Sequence, residues 1–347
     1  MSSKPTVAVL FGGRSVEHPV SCVSGSQAAK ALRERGFEVR LIGLTREGAW
    51  VELEPGTEFA MGEQMPEVTA ASGEPVVLDL GPGAEPLADV VFPIFHGPWG
   101  EDGTVQGLLE IAQVPFVGSG VLSSAVCMDK DVAKRLAAQA EIGQGPYAVL
   151  REASEAREKA EKLGLPVFVK PARAGSSLGI SKIKDLADID AAVEKAVEVD
   201  PKLVLEKGIE GMREIEVGVV VRDGEVVTAH PLEVLDQNAD GWFDFDAKYL
   251  GSPEPFDLKP SFEGITAEQI QDVAKKVFAT YDCRDYARID FFLTAEGELL
   301  LNEVNTSPGL TPMSGVPQGC NELGLSYGEL VETLVLNAAS REGGRLY

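Results

Sequence analysis

The 347-residue sequence predicts an α/β protein, α+β in part, with a doubly wound parallel sheet at its N-terminus and a hairpin-rich remainder. Three observations carry this expectation. Up to about residue 120, short apolar runs alternate with helix-like stretches, the pattern of parallel strands and crossover helices. Beyond about 210, apolar runs are joined by tight turns, as in antiparallel hairpins. The length also suits two or three packed lobes better than one core.

The elements follow in order. "TVAVLF" reads as a buried strand, with Gly12-Gly13 behind it and a helix from about Ser21 to Arg35 stopped by Gly36. "EVRLIGLT" and "DVVFPIF" supply further strands, and 52–88, rich in Gly, Pro and Glu, reads as a hairpin or loop insertion. "DKDVAKRLAAQAEIG" predicts a helix ending at Gly143, and "EASEAREKAEKLG" a second stopped by Gly164. "LPVFVKPARAGSSLGISKI" is a strand, a Gly/Ser-rich turn and a strand; a helix over 185–198 and the strand "KLVLEKGI" follow. Asp223-Gly224 marks a hairpin inside "REIEVGVVVRDGEVVTAHPLEVL". After a looser stretch, 236–264, come the helix "TAEQIQDVAKKVFATY", a final hairpin and the closing helix "YGELVETLVLNAASR".

Apolar residues make up 44% and charged residues 25%, as in ordinary globular proteins. Against 31 Lys and Arg stand 55 Asp and Glu, a net charge of −24. That surface argues against nucleic acid and anionic membranes as partners, so an anionic ligand needs its own cluster of cations. The four cysteines are scattered, without C-x-x-C or a nearby His pair, which argues for a reduced cytoplasmic protein without a zinc site. The start, "MSSKPTVAVLFGG", lacks signal-peptide architecture, and no apolar run is long enough to span a bilayer.

The final hairpin carries the chemistry. "ARIDFFL" and "ELLLNEVN" flank Thr294-Ala295-Glu296-Gly297. Pairing Leu293 with Glu298 sets Asp290 opposite Leu301 and Arg288 opposite Glu303. Because paired residues share a face and side chains alternate, Arg288, Asp290, Glu303 and Asn305 then stand together. Three oxygen donors suit Mg²⁺ shared with phosphates, and the arginine suits a transferring phosphoryl group. The same groups could instead form a buried salt-bridged hairpin. Lys170 ends its strand before "ARAGSSLG", a loop able to offer N–H groups and hydroxyls to an anion, and Lys130 and Lys248 are further cations. "GGRSVEH" and "PIFHGPWGEDG" follow predicted parallel strands, where ligands bind in such sheets, so Glu17, His96 and Glu101 are pocket candidates. His96 has a structural alternative as a hydrogen-bonded residue. "GGRSVEH" is no dinucleotide fingerprint, which argues against a dehydrogenase.

Seven motifs in order, "GGRSVEHPVS", "HGPWGEDGTVQG", "CMDKDVAKRL", "VKPARAGSSLGISK", "FDAKYLG", "ARIDFFL" and "NEVNTSPGLT", resemble the D-alanine–D-alanine ligase family of the ATP-grasp superfamily. The resemblance implies three domains, falling at 1–120, 121–209 and 210–347, with ATP sandwiched between the antiparallel sheets of the last two. It implies ATP-dependent joining of two D-alanines through an acyl phosphate, with D-lactate or D-serine as alternative second substrates, for peptidoglycan precursor synthesis. It assigns Asp290, Glu303 and Asn305 to two Mg²⁺ ions, or Mn²⁺, and Lys130, Lys170 and Lys248 to the ATP phosphates. Glu206 and Glu214 would take the adenine amino group and ribose, with Lys207, Ser176, Ser177 and Asn302 beside the nucleotide. Glu17 would hold the first ammonium, with His96 near its carboxylate. Arg288 and the Gly309 N–H would form the oxyanion site, and Ser314 with Gly315 the second-substrate pocket. Ser176 and Tyr249 would link to Glu17 as a loop at 236–252 closes. A homodimer is implied. Pro19, Ala172, Ala174, Phe245, Asp246 and Gly315 depart from the family pattern.

Overall fold

The computed structural model describes residues 4–62, 64–77, 86–235 and 255–341. Its first sheet has the order β4-β3-β2-β1-β5. β1 (Val7–Gly12), β2 (Val39–Leu44) and β5 (Val90–Ile94) are parallel, while β3 (Trp50–Leu53) and β4 (Glu74–Pro75) add an antiparallel edge inside the expected insertion. β1 is buried throughout, as a central strand covered on both faces must be.

Helix α1 (His18–Glu34) begins three residues before the expected Ser21. Pro19 lies in its first turn, where the ring presets a helical φ and the missing N–H costs nothing. Two bonds fix the His18 ring there: Nδ1 lies 2.6 Å from the Gly13 carbonyl and Nε2 accepts from Val68 N–H at 2.9 Å. Gly25 lets α1 lie on β1, since a Cβ there would stand 2.6 Å from that of Phe11. Two helices not anticipated individually, α2 (Thr104–Ile111) and α3 (Val121–Met128), lead to α4 (Lys130–Gln139). α4 stops at Gln139 instead of reaching Gly143. Glu141 turns left-handed (φ 54°), Ile142 N–H reaches the Ala137 carbonyl and Glu141 N–H the Ala138 carbonyl, a helix-terminating pair.

The second sheet is antiparallel, with the order β6-β9-β7-β8 over β6 (Tyr147–Leu150), β7 (Val167–Pro171), β8 (Ser181–Ile183) and β9 (Leu203–Lys207). α5 (Ala156–Leu163) and α6 (Ile189–Val197) cover one face, burying Ala156, Ala160, Ile189 and Val193. The third sheet runs β13-β12-β10-β14-β15. It comprises β10 (Arg213–Arg222), β11 (Glu225–Thr228) beside it, β12 (Leu232–Val234), β13 (Phe256–Asp257), β14 (Tyr286–Leu293) and β15 (Leu299–Asn305). The β10–β11 turn has Asp223 and Gly224 both left-handed, as a two-residue hairpin demands. α7 (Ala267–Thr280) packs Ile270, Ala274 and Val277 on its rear face. α8 (Gly315–Glu322) and α9 (Tyr327–Ala339) then return the chain to the first sheet, where α9 packs on α1.

The β14–β15 register corrects the expected pairing. The turn closes over Ala295-Glu296-Gly297, with Thr294 N–H donating to the Glu298 carbonyl, so Leu293 faces Leu299 and not Glu298. A bulge follows, opposite Asp290/Phe291, in which Asn302 is the additional residue. Beyond it Asp290 faces Glu303 and Arg288 faces Asn305, in place of Leu301 and Glu303. Turn and bulge each shift the pairing by one residue. Their sum preserves the shared face of Arg288, Asp290, Glu303 and Asn305.

Candidate active site

The open faces of the second and third sheets enclose a pocket lined by Phe168, Lys170, Glu206, Glu214, Arg288 and Asp290 among others. On its floor Glu206 accepts from Lys170 Nζ at 2.6 Å, and Lys134 Nζ of α4 lies 3.0 Å from its other oxygen. Burial alone would push the Glu206 carboxyl up, but the two ammonium groups outweigh it and hold it well below the usual range. Lys170 is likewise discouraged from carrying charge by burial, and Glu206 more than restores it. Lys207, predicted beside the nucleotide, lines the pocket but spends its ammonium on the carbonyls of Gly164 and Leu165, at 2.7 Å each.

Lys130 links this floor to the Gly/Ser loop, donating to the Ala174 carbonyl at 2.8 Å while standing 3.9 Å from Glu303. In the loop Ser176 and Ser177 are both left-handed, at φ 46° and 60°. A non-glycine residue there costs on the order of 1–3 kcal/mol, a burden concentrated at functional sites. The Ser176 hydroxyl holds the conformation by donating to Glu17, 159 residues away in sequence.

Glu17 belongs to a second cavity, lined also by His96, Glu101, Lys130, Ser176, Arg288, Glu303 and the chain from Val304 to Gly309. Gly97 is required beside it: its φ is +76°, and a Cβ would stand 2.4 Å from Glu17 Oε2. His96 lines the cavity, but both ring nitrogens are engaged, Nδ1 with the Ser307 carbonyl at 2.9 Å and Nε2 with Ser24 Oγ at 3.2 Å. Burial holds it neutral. These bonds clamp the 306–309 loop to the first sheet.

Between the cavities lies the hairpin cluster. Asp290 receives Arg288 Nε and Nη2, each at 2.7 Å, and Asn305 Nδ2 at 2.9 Å. Asn302, the bulge residue, and Glu303, next to it, both line the larger pocket. Ser314 stands just before α8 beside Gly309, where a Cβ would be 3.1 Å from Ser314 Oγ, and that oxygen accepts from Thr311 N–H at 3.1 Å. Gly315 faces Glu216, not the smaller cavity. Lys248 and Tyr249 lie outside the described residues, as does the whole of the predicted closing loop, 236–252.

Sequence reading missed two buried groups. Lys134 stands one helical turn beyond Lys130, and Glu216 alternates with Glu214 along β10, so both spacings could have revealed them. Among the described residues no group of three or more His, Cys, Asp or Glu forms a metal-ligating array. Asp290 and Glu303 on the wall of the larger pocket, with Asn305 on that of the smaller cavity, are nevertheless the hard, incomplete oxygen set that Mg²⁺ takes when phosphates supply its other ligands.

Two family profiles match the chain, D-ala D-ala ligase N-terminus over residues 6–119 and D-ala D-ala ligase C-terminus over 136–336. The chain belongs to the D-alanine–D-alanine ligase family. A D-alanine–D-alanine ligase from Nocardia farcinica is 44% identical over 364 residues, 99% of either chain, and one from Mycobacterium avium is 42% identical with the same coverage. Among solved structures, the D-alanine–D-alanine ligase of Coxiella burnetii superposes with a TM-score of 0.81 at 29% identity, covering 97% of this chain and 96% of that one. A D-Ala:D-Ser ligase from Enterococcus faecalis gives 0.79 at 31%, covering 96% and 99%. The fold is therefore of the ATP-grasp type, and the chain is an enzyme of the ligase class. No helix among the described residues is long and apolar enough to cross a membrane.

Proposed function

We propose that this enzyme joins two molecules of D-alanine into D-alanyl-D-alanine with cleavage of ATP to ADP and phosphate. One observation carries the reading: Arg288 and Glu303 line both the larger pocket and the small Glu17 cavity, with Asp290 beside them in the first and Asn305 in the second, on one face of the hairpin. A phosphoryl donor and a carboxylate acceptor would meet across that face.

Glu17 would hold the ammonium of the first D-alanine, leaving its carboxylate toward Arg288. A carboxylate oxygen attacks the γ-phosphorus of ATP, and ADP departs carrying the charge that Lys130 and Lys170 neutralise. The neutral amine of the second D-alanine then attacks the acyl carbon. The oxyanion faces Arg288 and the Gly309 N–H, and collapse expels phosphate as the new peptide nitrogen loses a proton. Asp290, Glu303 and Asn305 would hold the Mg²⁺ ions, or Mn²⁺, which supply charge neutralisation to the phosphates. Glu206 and Glu214 are the proposed contacts to adenine and ribose, and Ser314 to the second carboxylate. We take 1–120, 121–209 and 210–347 as the three lobes, and a cytoplasmic homodimer as the working assembly, which sedimentation would check.

The test supplies ATP and Mg²⁺ with D-alanine alone, L-alanine alone, or D-alanine with D-lactate or D-serine, following ADP release and identifying products by mass. D-Ala–D-Ala appearing with one ADP per dipeptide, and nothing from L-alanine, is the expected outcome. ATP binding without product from any D-amino acid would overturn it. A mixed product outcompeting the D-Ala dipeptide would reassign the second pocket.

A further inference from the structure

A row of three carboxylates crosses the third sheet: Glu216 on β10 pairs with Asp290 on β14, which pairs with Glu303 on β15. Like charges directly opposite each other are destabilising, so the row needs cations. Asp290 and Glu303 have assigned work at the pocket wall, but Glu216 has none. It is only 6% exposed, and its Oε1 lies 3.3 Å from Arg288 Nε.

The chain makes room for this side chain. Gly315, at the start of α8, presents its Cα to Glu216, and a Cβ there would stand 2.4 Å from Glu216 Oε2. A larger residue here would have to displace the Glu216 carboxylate.

Arg288 is held mainly by Asp290, through two bonds of 2.7 Å. Asp290 also takes Asn305 Nδ2, and it is a proposed ligand of a divalent cation. Its two oxygens already take three donors, and a cation would compete with the guanidinium for the same negative charge. Glu216 lies on the opposite side of Arg288's strand from Glu303 and Asn305, away from that competition. We propose that Glu216 is a positioning residue for Arg288, a second anchor that keeps the guanidinium aimed at the reacting carboxylate, and that Gly315 is the residue that leaves it space.

The proposal rests on the ligase reading only in giving Arg288 its task, so the test has two arms. In the first, kcat and KM for D-alanine are measured for wild type, Glu216→Gln, Glu216→Ala, Gly315→Ala and the Glu216→Ala/Gly315→Ala double variant. Calorimetry follows a non-hydrolysable ATP analogue with Mg²⁺. Loosening an oxyanion donor without removing it should lower kcat about tenfold in Glu216→Gln, Glu216→Ala and Gly315→Ala. The analogue's Kd should change less than about threefold. The double variant should stay within about twofold of Glu216→Ala, because the two sites act through one contact. In the second arm, the Arg288 Nε–H resonance, assigned by its loss in Arg288→Lys, should move in Glu216→Gln and Gly315→Ala alike.

An unmoved resonance, unchanged kcat in Glu216→Gln, or multiplying effects in the double variant would overturn the proposal. Wild-type protein that forms no dipeptide would instead sink the ligase reading, and the resonance would still decide the role of Glu216.

Discussion

Burial drives the Glu101 carboxyl up to about 8, and the neighbouring carboxylates of Glu17 and Glu303 add to the push. Folding therefore favours its protonated form. That contribution to stability is complete below the ordinary value of 4.5 and fades as pH rises through about 8. Between pH 5 and 9 the thermal midpoint of wild type should fall about 2–5 °C further than that of Glu101→Gln. Parallel profiles would show that Glu101 ionises freely. The opposite logic governs Glu206, an ionised carboxylate kept in the interior by Lys170 and Lys134. Lys170→Ala leaves it with one cation, and urea unfolding should report a loss of about 2–4 kcal/mol, the usual consequence of halving the support of a buried charge. Lys207→Ala, which removes only bonds to two carbonyls, should cost about 1 kcal/mol.

At the scale of elements, the β14–β15 hairpin shows what a sequence can and cannot disclose. The alternation in "ARIDFFL" and "NEVN" placed Arg288, Asp290, Glu303 and Asn305 on one face, and they are there. Their pairing was misjudged because it depends on how a turn closes and on where a bulge falls. Neither leaves a mark in hydrophobic period. The strand Tyr147–Leu150 and the helix Val121–Met128 went unread for a related reason: each is short and is defined by what packs on it. Lys134 and Glu206 meet across 72 residues of chain, which no local pattern encodes. The bulge also yields a prediction. Because Asn302 adds one residue, Val304 turns into the core at 6% exposure while Asn302 faces the pocket. Val304→Asp should therefore destabilise by at least about 3 kcal/mol in urea, and Asn302→Asp by less than about 1. Equal losses would mean that the strand runs on without its bulge.

At the scale of the whole molecule, the site exists only if three sheets hold their relative places. Asp285 is one of the pins. It is 3% exposed, takes the Gly118 N–H at 2.7 Å from the chain leaving the first sheet, and sits just before β14. Arg341, beyond α9, grips both its oxygens, at 2.6 and 2.9 Å, and also donates to the Phe116 carbonyl. First sheet, third sheet and chain end thus converge on one carboxylate. Arg341→Ala would leave Asp285 buried without its cation. Arg341 is partly exposed and water can replace some of what is lost, so the expected loss is on the order of 2 kcal/mol. The functional consequence is more specific than the loss of stability. β14 carries Arg288 and Asp290, whereas Glu17 follows β1, and a gap, the small cavity that Arg288 and Glu17 both line, separates them. If the pin sets that gap, Arg341→Ala should raise KM for D-alanine several-fold while leaving the affinity for Mg²⁺-nucleotide, for which we propose the pocket between the second and third sheets, within about twofold. Equal weakening of both would show that Arg341 supports the fold in general and does not set the distance between the two substrate pockets.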